Sequence, residues 1–426
     1  MQRRSFLIGS AMALQALGAN EKVNVAVVGV GSRGKDHVRE YLKQPLATVA
    51  ALCDVDTAQT ERGSKMVEDA TGRKPKVYQD LRKLYEDKDI DAVSIATPNH
   101  WHALATIWAC QAGKDVYCEK PASYNIFEGR QMVAAARKYN RIVQIGMQSR
   151  SIGHKRKAVQ LLRGGALGKL YMAKGLCYKR RPSIGHTPEE PVPAGLDWDV
   201  FLGPAPYRPY TLNRFHYNWH WFWDTGNGDI GNQGIHEMDV ARWGMGAGLP
   251  TRVVSTGGKY VYNDVQETPN TQHAVLGYGD SEIDFEVRGF PANGEAMIQP
   301  SGANYVGNIF LGEKGFLSLD HKGFQIFLGD KHEPGESGVA EKGGDTGPHM
   351  ANFLEAVKSR RKEDLHADVE EGVRSVTLVH LANISYRLKR ELEWDPAAWS
   401  FPNDAEANAM RTRPQYRAPY VIPSLV

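Results

Sequence analysis

From Lys22 onward, short apolar runs alternate with longer amphipathic ones: VNVAVVGV, KDHVREYLKQ, TVAALCDV, a polar helical stretch, DAVSIATP, WHALATIWACQAG, DVYCEKP, FEGRQMVAAARKY and RIVQIG. Strands that alternate with helices make right-handed βαβ units. This half is therefore predicted to be a parallel sheet covered on both faces, ending near Arg150. Beyond Arg150 the pattern changes. KLYMAKGLCYKR, TRVVSTGGKYVYN, TQHAVLGYG, SEIDFEVRGF, VGNIFLGE, GFLSLDHKG and FQIFLGD read as strands joined by Gly and Asn turns, which predicts an open, mostly antiparallel sheet. One helix starts near Asn232, and two more are predicted at MANFLEAVKSRR and EEGVRSVTLVHLANISYRLKREL. The expected architecture is α/β: a Rossmann domain over 21–150, an α+β domain over 151–395 and an extended arm over 396–426.

Length supports two domains, because 426 residues exceed what one core usually organises. The first 20 residues stand apart from the pattern. Arg3-Arg4-Ser5-Phe6-Leu7 precedes a run to Ala19 that is too short and too polar to span a bilayer, and it is similar to a twin-arginine signal, which exports proteins already folded. The expected location is periplasmic, or otherwise exported, with no stable membrane insertion. Net charge is only +3, two of it from Arg3 and Arg4, so nothing points to nucleic acid as a partner. Cys53, Cys110, Cys118 and Cys177 show no metal-clip spacing and are expected to be buried free thiols, as suits a chain folded in the reducing cytosol before export. The histidines offer no HxxxH with a third ligand, so no metal is expected.

Chemistry enters at Gly29-Val30-Gly31-Ser32-Arg33-Gly34, which follows a predicted strand and opens a predicted helix. Glycines there permit a tight turn and let backbone approach a pyrophosphate at the helix N-terminus. Asp54 ends the next strand about 20 residues on, where an acid takes ribose hydroxyls. Its carboxylate also repels a 2′-phosphate, so NAD is expected over NADP. Arg33 nearby is able to accommodate such a phosphate and keeps NADP open.

Two further stretches, ATPNHWHA and CEKPAS, put Thr97, Pro98 and Asn99 at the end of the fourth strand and Glu119, Lys120 and Pro121 at the end of the fifth, where ligands bind in such sheets. Together with the glycine turn, they resemble the glucose-fructose oxidoreductase, inositol dehydrogenase and MocA family over residues 21 to about 395. The resemblance implies carbohydrate or cyclitol redox chemistry with a nicotinamide cofactor, Lys120 at the nicotinamide and a cis bond before Pro121. We place His102, Glu119 and Gln148 with the cofactor as well. A lysine must have its pKa lowered, by burial or a cationic neighbour, to accept a hydroxyl proton at neutral pH.

In relatives an Asp-x-x-x-His helix completes the site. Here the spacing gives Asn232 and His236, four apart and so on one helix face, with Asn in place of the acid. Asn232 either contacts substrate or caps the helix. Asp239 lies close enough in sequence to orient the His236 ring, and Asp229 precedes the helix. Arg150, Tyr178 and Trp221 are assigned to substrate. Trp221 belongs to RFHYNWHWFWDTG, whose aromatics and interleaved polar groups suit either sugar stacking or a packed loop. Lys179, Arg180 and Arg181 are expected to face solvent rather than an acidic sugar.

An exported dehydrogenase meets little free NAD, so the cofactor is expected to be tightly bound and recycled in place. That favours an oxidoreductase acting on a sugar, cyclitol or glycoside. The alternatives are an NAD-dependent glycosidase with transient oxidation, or a silent sugar-binding protein that retains NAD. By analogy with the family, a homodimer or tetramer is expected.

Overall fold

The computed structural model describes residues 22–290, 305–341, 346–424 and 426. The signal expected over 1–20 lies outside them.

Six strands form the first sheet: β1 (Val23–Val28), β2 (Ala47–Cys53), β3 (Lys76–Tyr78), β4 (Ala92–Ile95), β5 (Asp115–Cys118) and β6 (Val143–Ile145). All pair in parallel, in the order β3-β2-β1-β4-β5-β6. β1, β4, β5 and β6 are almost wholly buried, which is why their sequences are apolar without alternation. The strand order reverses between β1 and β4, and that opens the crevice at their carboxyl ends.

The second sheet has nine strands: β7 (Leu170–Tyr178), β8 (Arg252–Gly258), β9 (Thr271–Gly277), β10 (Glu282–Arg288), β11 (Tyr305–Gly312), β12 (Gly315–Asp320), β13 (Gly323–Leu328), β14 (Glu333–Val339) and β15 (Leu392–Glu393), in the order β14-β13-β12-β11-β7-β10-β9-β8-β15. It is mixed, mostly antiparallel: β7 and β10 run parallel because the long intervening segment, carrying the helix Gly234–Met245, returns the chain in the same direction. β14 escapes sequence reading because EPGESGV is an exposed edge strand with no apolar alternation. Along β10 the alternation is plain, with Ile283, Phe285 and Val287 turned to the helices and Glu282, Asp284, Glu286 and Arg288, all half-buried, to the opposite face.

Val369–Leu388, a helix buried over most of its circumference, packs against both sheets, and one apolar cluster runs through both domains. Residues 396–424, which include a short helix Ala405–Ala409, reach both domains. Tyr420 packs edge-on to Trp101 at 5.4 Å, Tyr416 donates to Glu128 Oε1 at 3.1 Å and Arg417 pairs with Asp199. All four cysteines are buried and free. Among the described residues no helix is long and apolar enough to cross a membrane.

Candidate active site

At the first turn Gly29 takes φ +81°, and a Cβ on it would lie 2.8 Å from the backbone of Ala96 and Thr97. A Cβ on Gly34 would lie 1.8 Å from the Gly29 carbonyl oxygen, so only glycine lets the helix Ser32–Lys43 start this close to the turn. A Cβ on Gly31 meets nothing, because that position faces the crevice. The helix has no side-chain cap, which leaves its first amides to an anion. Asp54 Oδ2 accepts from Val30 N at 2.6 Å and Oδ1 from Asp56 N at 2.9 Å; burial nevertheless pushes its carboxyl up to about 6.

Glu119 organises the opposite wall. Its Oε1 accepts from Arg33 Nε (2.8 Å), from Gln148 Nε2 (3.0 Å) and is 3.0 Å from His37 Nε2, while Oε2 accepts from Lys120 N (3.2 Å). Burial pushes this carboxyl up, but Arg33, His37 and Lys120 outweigh it and hold it well below the usual range. Arg33 also reaches Thr346 Oγ1 at 3.2 Å. It is thereby drawn toward the end of β5, three strands along from the β2 end that carries Asp54. Gln148 is likewise spent on Glu119 and the Tyr117 hydroxyl. The His102 ring bridges the Pro121 and Thr97 carbonyls (2.7 and 2.9 Å), tying β4 to β5, and Asn99 Nδ2 donates to Asn227 Oδ1 at 2.5 Å. The Lys120–Pro121 bond is cis.

Lys120 Nζ donates to the Asn232 carbonyl oxygen at 2.9 Å, and burial, opposed by Glu119, lowers its pKa. Asn232 Nδ2 donates to the Tyr217 hydroxyl (3.1 Å) and to Asp229 Oδ1 (3.3 Å), and Asp229 is held bidentate by Arg181 (2.8 and 2.6 Å). The missing aspartate of the family pattern thus has a carboxylate just behind it, one turn earlier. Gly29, Asp54, Thr97, Lys120, Asn232, Tyr217 and His220 line one cavity of about 250 Å³.

Several expected residues lie elsewhere. Asp239 does not orient His236: it takes Arg150 through both Nε and Nη2 and accepts from Ser375 Oγ at 2.6 Å. Arg150 is therefore locked in an ion pair and does not line the cavity. The Tyr178 hydroxyl donates to Glu286 on the opposite face of the sheet, because β-strand alternation turns it away from its neighbour Cys177 in the core. Trp221 is buried behind the wall with Arg181 over its ring at 5.4 Å. His236 is absent from the cavity lining; burial and Lys120 hold its imidazole well below the usual range. Lys179 and Arg181 do not face solvent: Lys179 Nζ donates to Gln233 Oε1 at 3.0 Å and Arg181 takes Asp229. The aromatic segment is both packed loop and wall. Trp198, Phe201, Tyr210, Phe215 and Trp219 form their own cluster, while Tyr217, Trp219 and His220 face the cavity. Its density of rings with interleaved polar groups was the signal available for Tyr217.

These features define an NAD-binding site on a two-domain α/β scaffold, and the chain belongs to the GFO_IDH_MocA family. Residues 23–147 match its "oxidoreductase family, NAD-binding Rossmann fold", and residues 173–255 and 324–422 match its "oxidoreductase family, C-terminal alpha/beta domain", together more than half the chain. The chain is similar to the levoglucosan dehydrogenase of Pseudarthrobacter phenanthrenivorans (27% identical over 229 residues, 53% of this chain and 52% of that protein). It is also similar to a glycosyl hydrolase family 109 protein of Saccharopolyspora erythraea (30% over 172 residues, 39% and 37%). The chain spans less than two thirds of the length of the first curated relatives it matches. In fold it is similar to the WlbA dehydrogenase of Bordetella pertussis, solved with NADH and UDP-GlcNAcA (TM-score 0.64, 20% identity, 88% of this chain and 99% of that one).

Proposed function

We propose that this chain is an exported oxidoreductase that oxidises a hydroxyl of a sugar, cyclitol or glycoside, with tightly bound NAD and with Lys120 as the acid–base group; His236, expected beside it, does not line the cavity. The observation that carries the reading is Lys120. Its amine has a lowered pKa, is anchored to Asn232, and shares one cavity with the glycine turn and Asp54. The residues fit a dinucleotide, because the uncapped helix start suits a pyrophosphate and Asp54 a ribose. Bound there, NAD supplies the hydride acceptor. Lys120 takes the hydroxyl proton. Asn232 has both amide hydrogens committed to Tyr217 and Asp229, so its side-chain oxygen is left to accept from a substrate hydroxyl.

NAD is preferred over NADP because the Asp54 carboxylate repels a 2′-phosphate and Arg33 is spent on Glu119 and Thr346. With the Asp54 carboxyl raised to about 6, it is ionised above that pH and gains its proton below it. The ratio of NAD to NADP affinity is therefore expected to be at least about tenfold near pH 8 and to shrink near pH 5, as a shift of one pKa unit in interaction energy implies. Tryptophan-fluorescence titration at both pH values measures it, and a ratio independent of pH would remove Asp54 from cofactor choice.

Export by residues 1–20 and pairing of two or four copies through the second sheet belong to the same proposal. Protein recovered from the periplasm, sized by light scattering, is to be followed near the reduced-nicotinamide absorbance band while sugars and glycosides are added without free NAD. A band that rises with one sugar and falls with another supports the reading. Aglycone release would replace it with the glycosidase that similarity to a family 109 protein favours. Bound cofactor that no sugar reduces would leave a silent binder.

A further inference from the structure

The Tyr217 hydroxyl differs from its neighbours. Tyr262 donates its hydroxyl to the Arg181 carbonyl at 3.1 Å, Tyr124 to the Trp223 carbonyl and Tyr178 to Glu286. The Tyr217 oxygen instead accepts twice, from Arg181 Nη1 at 3.0 Å and from Asn232 Nδ2 at 3.1 Å. A phenol has one hydrogen to donate. Among the described residues no acceptor takes it, and the residue, 46% exposed, lines the same cavity as Lys120. Both groups are anchored on Asn232, Lys120 on its backbone oxygen and Tyr217 on its side-chain nitrogen, so they approach a bound hydroxyl from one residue's width. The ring is held by its own loop, packed on His220 at 4.7 Å and edge-on to Trp221 at 6.3 Å. Asp229, gripping Arg181 bidentate, fixes the guanidinium that polarises it.

We propose that Tyr217 is the catalytic hydrogen-bond donor to the reacting oxygen, occupying the place at the cavity wall that the sequence spacing offered to His236. This rests on the oxidoreductase reading above. In oxidation the substrate O–H proton passes to the Lys120 amine, the carbinol C–H leaves with its electron pair to the nicotinamide, and a C=O bond forms. Negative charge builds on the oxygen as its proton departs. Tyr217 donates its O–H to that oxygen throughout and breaks no bond of its own. Two donors on the phenolic oxygen, one of them cationic, strengthen the bond it gives. A preorganised donor of this kind acts mainly on the transition state.

The test is Tyr217→Phe in the full exported protein, with the sugar that reduces the bound nicotinamide in the wild type. The substitution removes one oxygen from a half-exposed ring, so folding is expected to be intact by circular dichroism. Expected are a kcat lower by about 10²–10³-fold, as for loss of one oxyanion donor, a KM within about threefold, and a primary deuterium isotope effect at the carbinol carbon at least as large as in the wild type. Dinucleotide affinity, read by tryptophan fluorescence without any turnover, should stay within about twofold. Turnover within threefold of wild type would overturn the role of Tyr217 and leave the oxidoreductase reading standing. A fall in kcat accompanied by weakened dinucleotide binding would overturn it too, because Tyr217 would then be shaping the cofactor site. A wild-type protein that no sugar, cyclitol or glycoside reduces would overturn both.

Discussion

Replacing Lys120 with alanine is expected to lower kcat/KM by about 10³-fold, within the range typical for loss of a general acid–base group, while dinucleotide affinity stays within about twofold. The amine is well placed for proton transfer: half-buried, bonded to the Asn232 carbonyl, and facing the cavity shared with the nucleotide turn. Desolvation favours the neutral form, and Glu119 opposes it less strongly, so the net pKa is lowered. The rate should therefore rise with pH through a value below that of a free lysine, about 10.4, and that limb should vanish in the alanine variant. Lys120→Arg retains the charge but takes no proton at these pH values, so it should be as slow as alanine. Stopped-flow absorbance of the bound nicotinamide over a pH series checks both. Turnover of Lys120→Ala within threefold of wild type would remove Lys120 from the chemistry.

The second large effect is on stability. Asp239→Ala is expected to cost about 3–5 kcal/mol, the usual result of removing one partner of a buried ion pair. Asp239 is fully buried and accepts from Arg150 Nε and Nη2 and from Ser375 Oγ. Without it Arg150, only 5% exposed, keeps Glu371 Oε2 at 3.2 Å, an oxygen that Arg242 already holds at 2.5 Å. A loss of that size is a large share of the roughly 5–15 kcal/mol that holds a typical protein folded. Although burial pushes the Asp239 carboxyl up, Arg150 and Arg242 bring it below its ordinary value. Its contribution is thus present above the unfolded carboxyl's pKa, about 3.9, and is lost as pH falls below that. Urea midpoints at neutral and acid pH measure the effect. The variant should be less stable at neutral pH, and the gap to wild type should narrow in acid.

Asp239 also shows where sequence reading stops. Its spacing from His236 pointed to a helix-face pair, yet its partner Arg150 lies 89 positions away and arrives through the turn after β6. Local signals were legible because they depend on neighbours in the chain. Uninterrupted apolar runs gave buried parallel strands, glycines gave the turn before the helix Ser32–Lys43, and short motifs ending β4 and β5 placed Thr97 and Lys120 at the crevice. The mixed sheet was legible in β7 to β13 and illegible where β14 has no apolar alternation and where β7 meets β10 in parallel.

What the sequence determined by itself was the architecture and the chemistry-bearing strand ends, since backbone periodicity and glycine's freedom act over a few residues. What only the tertiary structure decided was the pairing of charges and hydroxyls: Asp239 with Arg150, Asp229 with Arg181, Arg33 with Glu119, and the Tyr217 hydroxyl with Arg181 and Asn232. Polar groups removed from water must find partners, and any of several acids or cations in the chain would satisfy each one chemically. The choice among them belongs to the packing of the two sheets around the buried helix Val369–Leu388, which sets the distances at which those pairs form.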